Sequence, residues 1–272
     1  MIPRAHITAW RARAPWPSDA QVEQDLLLSR ALVEMFNRPE LAEGFVFRGG
    51  TALHKLFVSP AGRYSEDIDL VQAEAGPIGP LLGGLREALD PWLGTPRWKQ
   101  GHGRVTVIYR FDTSFEPVIR MRLKVEINTR EHFNVQGTTR RPFTVDSPWF
   151  QGTTELPVYH IEELLGTKLR ALYQRKKGRD LYDLWLVLRS TDVDPRRIVD
   201  CFRHYMDHDN VTASRAEFEA NLAGKLSDDV FLEDLRILLP AGIEYDPRIA
   251  AALVQEELIT RIPGEPWKGP ET

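Results

Sequence analysis

One cysteine, Cys201, occurs in 272 residues. It cannot form an intramolecular disulfide or a Cys-based zinc site, so a disulfide-stapled secreted fold and a zinc finger are both excluded. Long hydrophobic runs are also missing. No stretch approaches the roughly 18 apolar residues that a membrane helix needs, and the N-terminal segment MIPRAHITAWRARAPW has charge but no apolar core, so neither a membrane span nor a signal peptide is expected. A reducing, cytoplasmic setting follows. The chain has no internal repeats or heptads. Its histidines (His54, His102, His132, His160, His204 and His208 among them) show no metal-ligand spacing, and no Ser/His/Asp or Cys/His order stands out.

Charge of one sign is lacking too: 35 Lys+Arg stand against 39 Asp+Glu, a net of -4. With 42% hydrophobic and 27% charged residues, the proportions are those of a globular protein of one large or two ordinary domains. The charges are unevenly spread, however. Residues 1–150 sum to +2, 151–167 to -3, 168–203 to +5 and 204–272 to -8. An acidic C-terminal quarter masks a mildly basic body, and such asymmetry bears on partners rather than on fold. A nucleic acid is expected to meet residues before 204, with the acidic helices turned away from it or towards a basic partner.

After an irregular start, Ser18 precedes Gln21 at capping-box spacing and an amphipathic helix is expected to about Asn37. Phe45–Phe47 reads as a strand, Gly49-Gly50 as a turn, and Thr51–Val58 as a helix. Further strands are expected at Asp67–Val71, Val105–Phe111 and Met121–Asn128, with a helix at Leu85–Leu93. In the last strand Met121, Leu123, Val125 and Ile127 alternate with Arg122, Lys124, Glu126 and Asn128, as in a sheet with one face on a core and one open. Gln151–Pro157 has turn composition. Helices are expected at Ile161–Arg175, Arg179–Leu188, Pro195–Met206, Ala213–Leu222, Asp228–Leu239 and Pro247–Ile262, and a loose tail at Pro263–Thr272. The expected architecture is an α/β (α+β) domain, residues 1–155, followed by an all-helical domain, 156–272.

Asp67 and Asp69 lie two apart on a strand, which puts both carboxylates on one face about 6.6 Å apart along the chain. That suits one or two Mg²⁺ ions. Two other Asp-x-Asp runs, Asp192–Asp194 and Asp207–Asp209, fall at expected helix termini and read as solvated ends. The first pair differs in its interleaved apolar residues and in following the glycine turn by one helix. Gly49-Gly50-Thr51 offers backbone N–H groups and a hydroxyl to an anion at a helix N-terminus, or is a plain tight turn. Ser65 shares the phase of the aspartates. Glu126 reads either as a solvent-facing member of a salt-bridged row or, beside Asp67 and Asp69, as the third carboxylate of a metal site. Lys168 falls inside the apolar stripe of Ile161, Leu164, Leu165, Leu169 and Leu172, so it either snorkels its head to water or is a point charge reaching a phosphate or carboxylate in a cleft. Asp180 and Asp183, one turn apart, have the ordinary reading of acidic residues that stabilise a helix start; Asp180, bordering the apolar stripe of Leu184, Val187 and Leu188, is also placed to pair with an inward Arg or Lys.

Together, FVFRGGTALHKLF, RYSEDIDLV and LLGTKLRALYQRKKGRDLYDLWLVL resemble the nucleotidyltransferase-like AbiEii/AbiGii toxin family of type IV bacterial toxin-antitoxin systems. The resemblance spans roughly residues 20–190 and rests on the joint spacing of the motifs. It implies a DNA polymerase β-like nucleotidyltransferase fold with a helical C-terminal half. By position, Gly49, Gly50 and Thr51 are then the motif that orients nucleotide phosphates, with Arg63 and Ser65 in the adjoining motif and Asp67 and Asp69 as metal ligands. Lys168 falls on the family's triphosphate-holding lysine and Asp183 on the acidic residue of the last motif, with Asp180 beside it. Glu126 matches the third carboxylate of the wider fold.

The activity so implied is Mg²⁺- (or Mn²⁺-) dependent transfer of a nucleotide from an NTP to an RNA acceptor, the 3′ end of tRNA, halting growth until a cognate antitoxin from a neighbouring gene intervenes. Arg170, Arg175, Lys176, Lys177 and Arg179 are the basic side chains expected against the RNA. Transfer to a protein or small molecule, and an inactive binding module, are the alternatives that the sequence leaves open.

Overall fold

The computed structural model describes residues 2–269 and divides the chain into two compact units, Met1–Tyr159 and His160–Thr272. In the first unit the elements run α1 (Arg4–Trp10), α2 (Asp19–Phe36), α3 (Pro39–Gly44), β1 (Phe45–Arg48), α4 (Gly49–Leu56), β2 (Asp67–Gln72) and α5 (Gly79–Leu93), followed by β3 (Arg97–Gly101), β4 (Arg104–Asp112), β5 (Arg120–Asn128), β6 (Thr138–Asp146) and β7 (Gln151–Tyr159). The strands form one mixed sheet in the order β3-β4-β5-β2-β1-β7-β6. β2 sits at its centre, antiparallel to β1 and parallel to β5.

The hydrophobic pattern explains which face is covered. Val105, Val107 and Tyr109 of β4 and Leu123, Val125 and Ile127 of β5 are all buried, and α2 packs on β5, β6 and β7 while α5 packs on β4. α2 begins at Ser18 with both halves of the expected capping box in place. It is held from the side by Arg30, whose guanidinium stacks over Trp92 at 4.2 Å, Trp149 at 4.9 Å and Phe150 at 5.0 Å.

Three strands were not expected, and each has a physical reason to hide. β3 is an edge strand with every residue exposed, so it shows no apolar alternation. β6, the other edge, contains Pro142 and is mostly exposed, as edge strands tolerate. β7 has turn composition at its start yet pairs with β6 along its length and touches β1 at Phe47–Val158. The boundary between the units consequently falls after Tyr159 rather than at 155. α1 also replaces the irregular start, and α5 begins earlier than expected, at Gly79.

The second unit consists, among the described residues, of α6 (Ile161–Gln174), α7 (Gly178–Ser190), α8 (Pro195–His208), α9 (Arg215–Lys225), α10 (Asp229–Glu233), α11 (Pro247–Glu257) and a 3-10 turn at Ile259–Arg261. α6 packs on α7 and α8, and α7 on α11. Tyr205 donates to buried Glu163 across the α6–α8 contact at 2.8 Å. The helix expected over Asp228–Leu239 stops at Glu233. Part of the expected tail is tied down instead: Arg215 N–H donates to Pro263 O at 3.0 Å and Trp267 N–H to Glu219 at 2.7 Å. Residues 270–272 of that tail lie outside the described residues. No helix among the described residues is long and apolar enough to cross a membrane.

α6 and α8 approach closely at Gly166, where a Cβ would lie 2.6 Å from Cys201 Cβ and 2.9 Å from Ile198 O. Gly166→Ala is therefore expected to destabilise the chain by about 1–3 kcal/mol through overpacking, which a thermal melt would register as a lower transition temperature.

Candidate active site

β1 runs directly into α4 through Gly49, whose φ of 80° is left-handed. A Cβ there would also collide with the Asp69 carboxylate, so the turn lies against the central strand. Thr51, in the first turn of α4, donates through Oγ1 to the Asp67 carbonyl at 2.5 Å and lies 2.8 Å from Ser65 Oγ. Arg63 is buried, donates to Tyr64 O at 3.0 Å, and holds its guanidinium where a Cβ on Gly50 would fall. The structure thus gathers Gly49, Gly50, Thr51, Arg63, Ser65, Asp67 and Asp69 at one place. Thr51, Arg63 and Ser65 also line a cavity of about 480 Å³, together with Lys55 and Trp16.

Asp67 and Asp69 share one face of β2, both half-buried, with Ile68 and Leu70 buried on the other. Parallel pairing sets Lys124 level with Asp67, and Glu126 level with Asp69. The Lys124 ammonium bonds to Asp67 Oδ2 at 2.8 Å and lies 3.6 Å from Glu126 Oε1. Burial would lower this lysine's pKa, but the bond to Asp67 and the fields of Asp67, Glu126 and Asp69 raise it. Asp67 is raised in turn, because burial outweighs the opposing pull of Lys124.

Lys124 is the site residue that the sequence reading missed. It shares its phase with Glu126 but meets Asp67 only through the β2–β5 register. Of the two readings of Glu126, its contacts are those of the salt-bridged row. Its carboxylate faces Lys124 and, at 3.9 Å, Arg104, and among the described residues no three His, Cys, Asp or Glu side chains are placed to hold a metal.

In the C-terminal unit, Lys168 is 7% exposed and its ammonium lies 3.2 Å from Asp180 Oδ1 and 2.9 Å from Asp183 Oδ2. Both aspartates are fully buried. The head group is thus paired inside and does not snorkel. Arg175 adds a two-pronged contact to Asp180 at 2.7 and 2.8 Å. Burial alone would raise the pKa of Asp180, but Lys168 and Arg175 hold it below the usual carboxylate range.

The basic run around these residues is neutralised within the same unit. Arg170 pairs with Asp209 at 3.2 Å, Lys176 with Asp228, and Lys177 and Arg179 with Asp234 at 3.5 and 3.6 Å. The acidic C-terminal helices therefore face the chain's own basic segment. Of the two other Asp-x-Asp runs, Asp194 caps α8 by accepting from Arg196 N–H at 2.9 Å, as its position suggested.

A mixed sheet carrying a glycine turn and a paired-aspartate strand, followed in the chain by a helical unit, is the nucleotidyltransferase fold. Two solved structures share it. MenT4, a nucleotidyltransferase toxin from Mycobacterium tuberculosis H37Rv, matches with a TM-score of 0.69 at 18% identity over 96% of this chain and 91% of that one. A putative nucleotidyltransferase from H. pylori matches with a TM-score of 0.55 at 19% identity over 88% and 93%. No curated protein sequence matches the chain. The family model for the nucleotidyl transferase AbiEii toxin of type IV toxin-antitoxin systems matches residues 30–255, and the chain belongs to that family and is a nucleotidyltransferase.

Two outcomes follow from the geometry. Gly49→Ala should abolish nucleotide transfer while the melt persists, because left-handed backbone costs about 1–2 kcal/mol and the new Cβ displaces Asp69; transfer assays beside circular dichroism would check this. Asp180, with its depressed pKa, stabilises the fold fully above about pH 4 and loses that contribution as pH falls through its folded value. Asp180→Asn should accordingly cost about 3 kcal/mol at neutral pH, with the gap to wild type closing below about pH 4 in denaturant titrations.

Proposed function

We propose that this chain is the toxin of a type IV pair and transfers a nucleoside monophosphate from an NTP to the 3′-hydroxyl of an RNA, the 3′ end of tRNA, in the cytoplasm. The observation that carries the reading is the shared face of Asp67 and Asp69 set against the Gly49-Gly50-Thr51 turn. In the transfer, the acceptor O3′ forms a bond to the α-phosphorus, the bond from that phosphorus to the leaving pyrophosphate breaks, and the hydroxyl proton is released to water.

Backbone N–H groups at the start of α4 orient the phosphates, and the buried guanidinium of Arg63 beneath Gly50 adds a fixed positive charge there. Thr51 and Ser65, hydroxyl to hydroxyl, complete the polar wall. Lys168, held by Asp180 and Asp183, is assigned to the triphosphate through the family motif.

The carboxylates suit a cation: the protein's own Lys124 ammonium already occupies the space beside Asp67 and Glu126. Two carboxylates with nucleotide phosphates as the remaining ligands is how Mg²⁺ is usually held, so Asp67 and Asp69 would hold Mg²⁺ or Mn²⁺. Bound there, the ion would offset phosphate charge and lower the pKa of the attacking hydroxyl. The antitoxin is the product of a neighbouring gene.

Incubation with [α-³²P]NTP and total RNA should label RNA with wild type and not with Asp69→Ala, a loss of at least about a hundredfold if the ligand is needed for charge stabilisation. Sequencing of RNA 3′ ends would identify the acceptor and the added base. Label in the protein fraction with none in RNA would replace the RNA acceptor by a protein, and equal labelling by Asp69→Ala would remove Asp69 from the reaction.

A further inference from the structure

We infer that the open face of β3, β4 and β5 is the track along which the RNA acceptor reaches Asp67 and Asp69; this rests on the RNA-acceptor reading above. The sheet register establishes the face. Residues directly opposite each other on neighbouring strands point the same way. Asp67 and Asp69 lie beside Lys124 and Glu126, these beside Ile108 and Thr106, and these in turn beside Arg97 and Lys99. Two residues further along, Arg110 lies opposite Arg122, and Arg104 opposite Asn128. Arg97, Lys99, Arg104, Arg110 and Arg122 thus share the face that carries the aspartates, and all five are exposed.

Most of their charge is not taken up by ion pairs. Arg104 reaches Glu126 only at 3.9 Å, and no ion pair among the described residues involves Arg97, Lys99, Arg110 or Arg122. The basic run at 170–179 is the opposite case, with every cation matched by an acid. Arg110 against Arg122 is the most telling pair. Like charges directly across a strand pair destabilise the sheet, so an anion lying over the pair relieves it. Arg122 also acts on Asp67 through its field, which ties the track to the reacting end.

A flexible polyanion ending in a 3′-hydroxyl matches this surface: guanidinium groups bind phosphate two-pronged, and the row leads to the carboxylates where that hydroxyl reacts. A protein acceptor would need apolar anchors at such a surface, and the only apolar side chain in the register between these cations and the aspartates is Ile108.

The test uses the full chain with Asp69→Ala, which binds without turnover, and a 5′-labelled single-stranded RNA followed by fluorescence anisotropy at increasing salt. Arg97→Gln/Lys99→Gln and Arg110→Gln/Arg122→Gln should each weaken binding and flatten the log–log salt slope by about 1.4, since each removed phosphate contact on single strands is worth about 0.7. Arg110→Gln/Arg122→Gln should melt no lower than its parent, so lost binding cannot be ascribed to unfolding. NTP affinity of Arg97→Gln/Lys99→Gln, measured by calorimetry with each of the four NTPs, should match the parent. Wild-type affinity and slope in both sheet variants, with both lost in Lys176→Gln/Lys177→Gln, would overturn the track while leaving the RNA-acceptor reading in place. Failure of the unmutated protein to label any RNA, or label found only in protein, removes that reading and the track with it.

Discussion

Two carboxylates on one face of a central strand set the terms for everything around them. At about 6.6 Å spacing and an effective dielectric near 20, their mutual repulsion is about 2.5 kcal/mol, and half-burial of both adds to the cost. Such a pair persists only where positive charge is close. The sheet supplies it by register: β5 runs parallel to β2 so that Lys124 meets Asp67. The turn on the other side has to be glycine, because any Cβ at Gly49 would occupy the place of the Asp69 carboxylate. Strand order, turn composition and the identity of a lysine on a third strand are consequences of the same constraint.

The C-terminal unit solves a comparable problem differently. Lys168 and the two fully buried aspartates, with Arg175 at the rim, form a network in which each buried charge has an opposite partner. Buried pairs of this kind contribute little net stability compared with apolar packing, but removing one member is costly. The network therefore fixes the position of the Lys168 ammonium more than it strengthens the fold. Lys225 marks the same economy of polar groups: it caps α6 by donating to Tyr173 O at 2.9 Å, and burial pushes its pKa down to about 8.

Legibility in the sequence followed locality. Asp67 and Asp69 could be picked out because strand phase is a two-residue property, and the inward position of Lys168 because helix phase is a four-residue one. The open and covered faces of β5 were visible in its alternation. By contrast, β3 and β6 are edge strands without a buried face along most of their length, so no periodicity marks them. Lys124 belongs to the site through a parallel pairing that joins residue 67 to residue 124, and no local pattern encodes such a register. The same limit explains Glu126: its phase was read correctly, but its neighbours Lys124 and Arg104, which occupy its carboxylate, come from the strand itself and from the pairing with β4.

Net charge shows where segment sums stop being informative. The +5 of residues 168–203 and the -8 of residues 204–272 suggested a basic surface and an acidic one. In the folded unit they are substantially the two halves of the same ion pairs, Arg170 with Asp209, Lys176 with Asp228, Lys177 and Arg179 with Asp234. A distant polyanion responds to charge left over after such pairing, within a screening length of about 8–10 Å. By that measure the nearly neutral first 150 residues, summing to only +2, carry the cations that matter, because the antiparallel half of the sheet aligns Arg97, Lys99, Arg110 and Arg122 on one face without an ion pair to the acids that share it. Sheet register, which decides who neutralises whom, converts an unremarkable composition into a directional field that ends at Asp67 and Asp69.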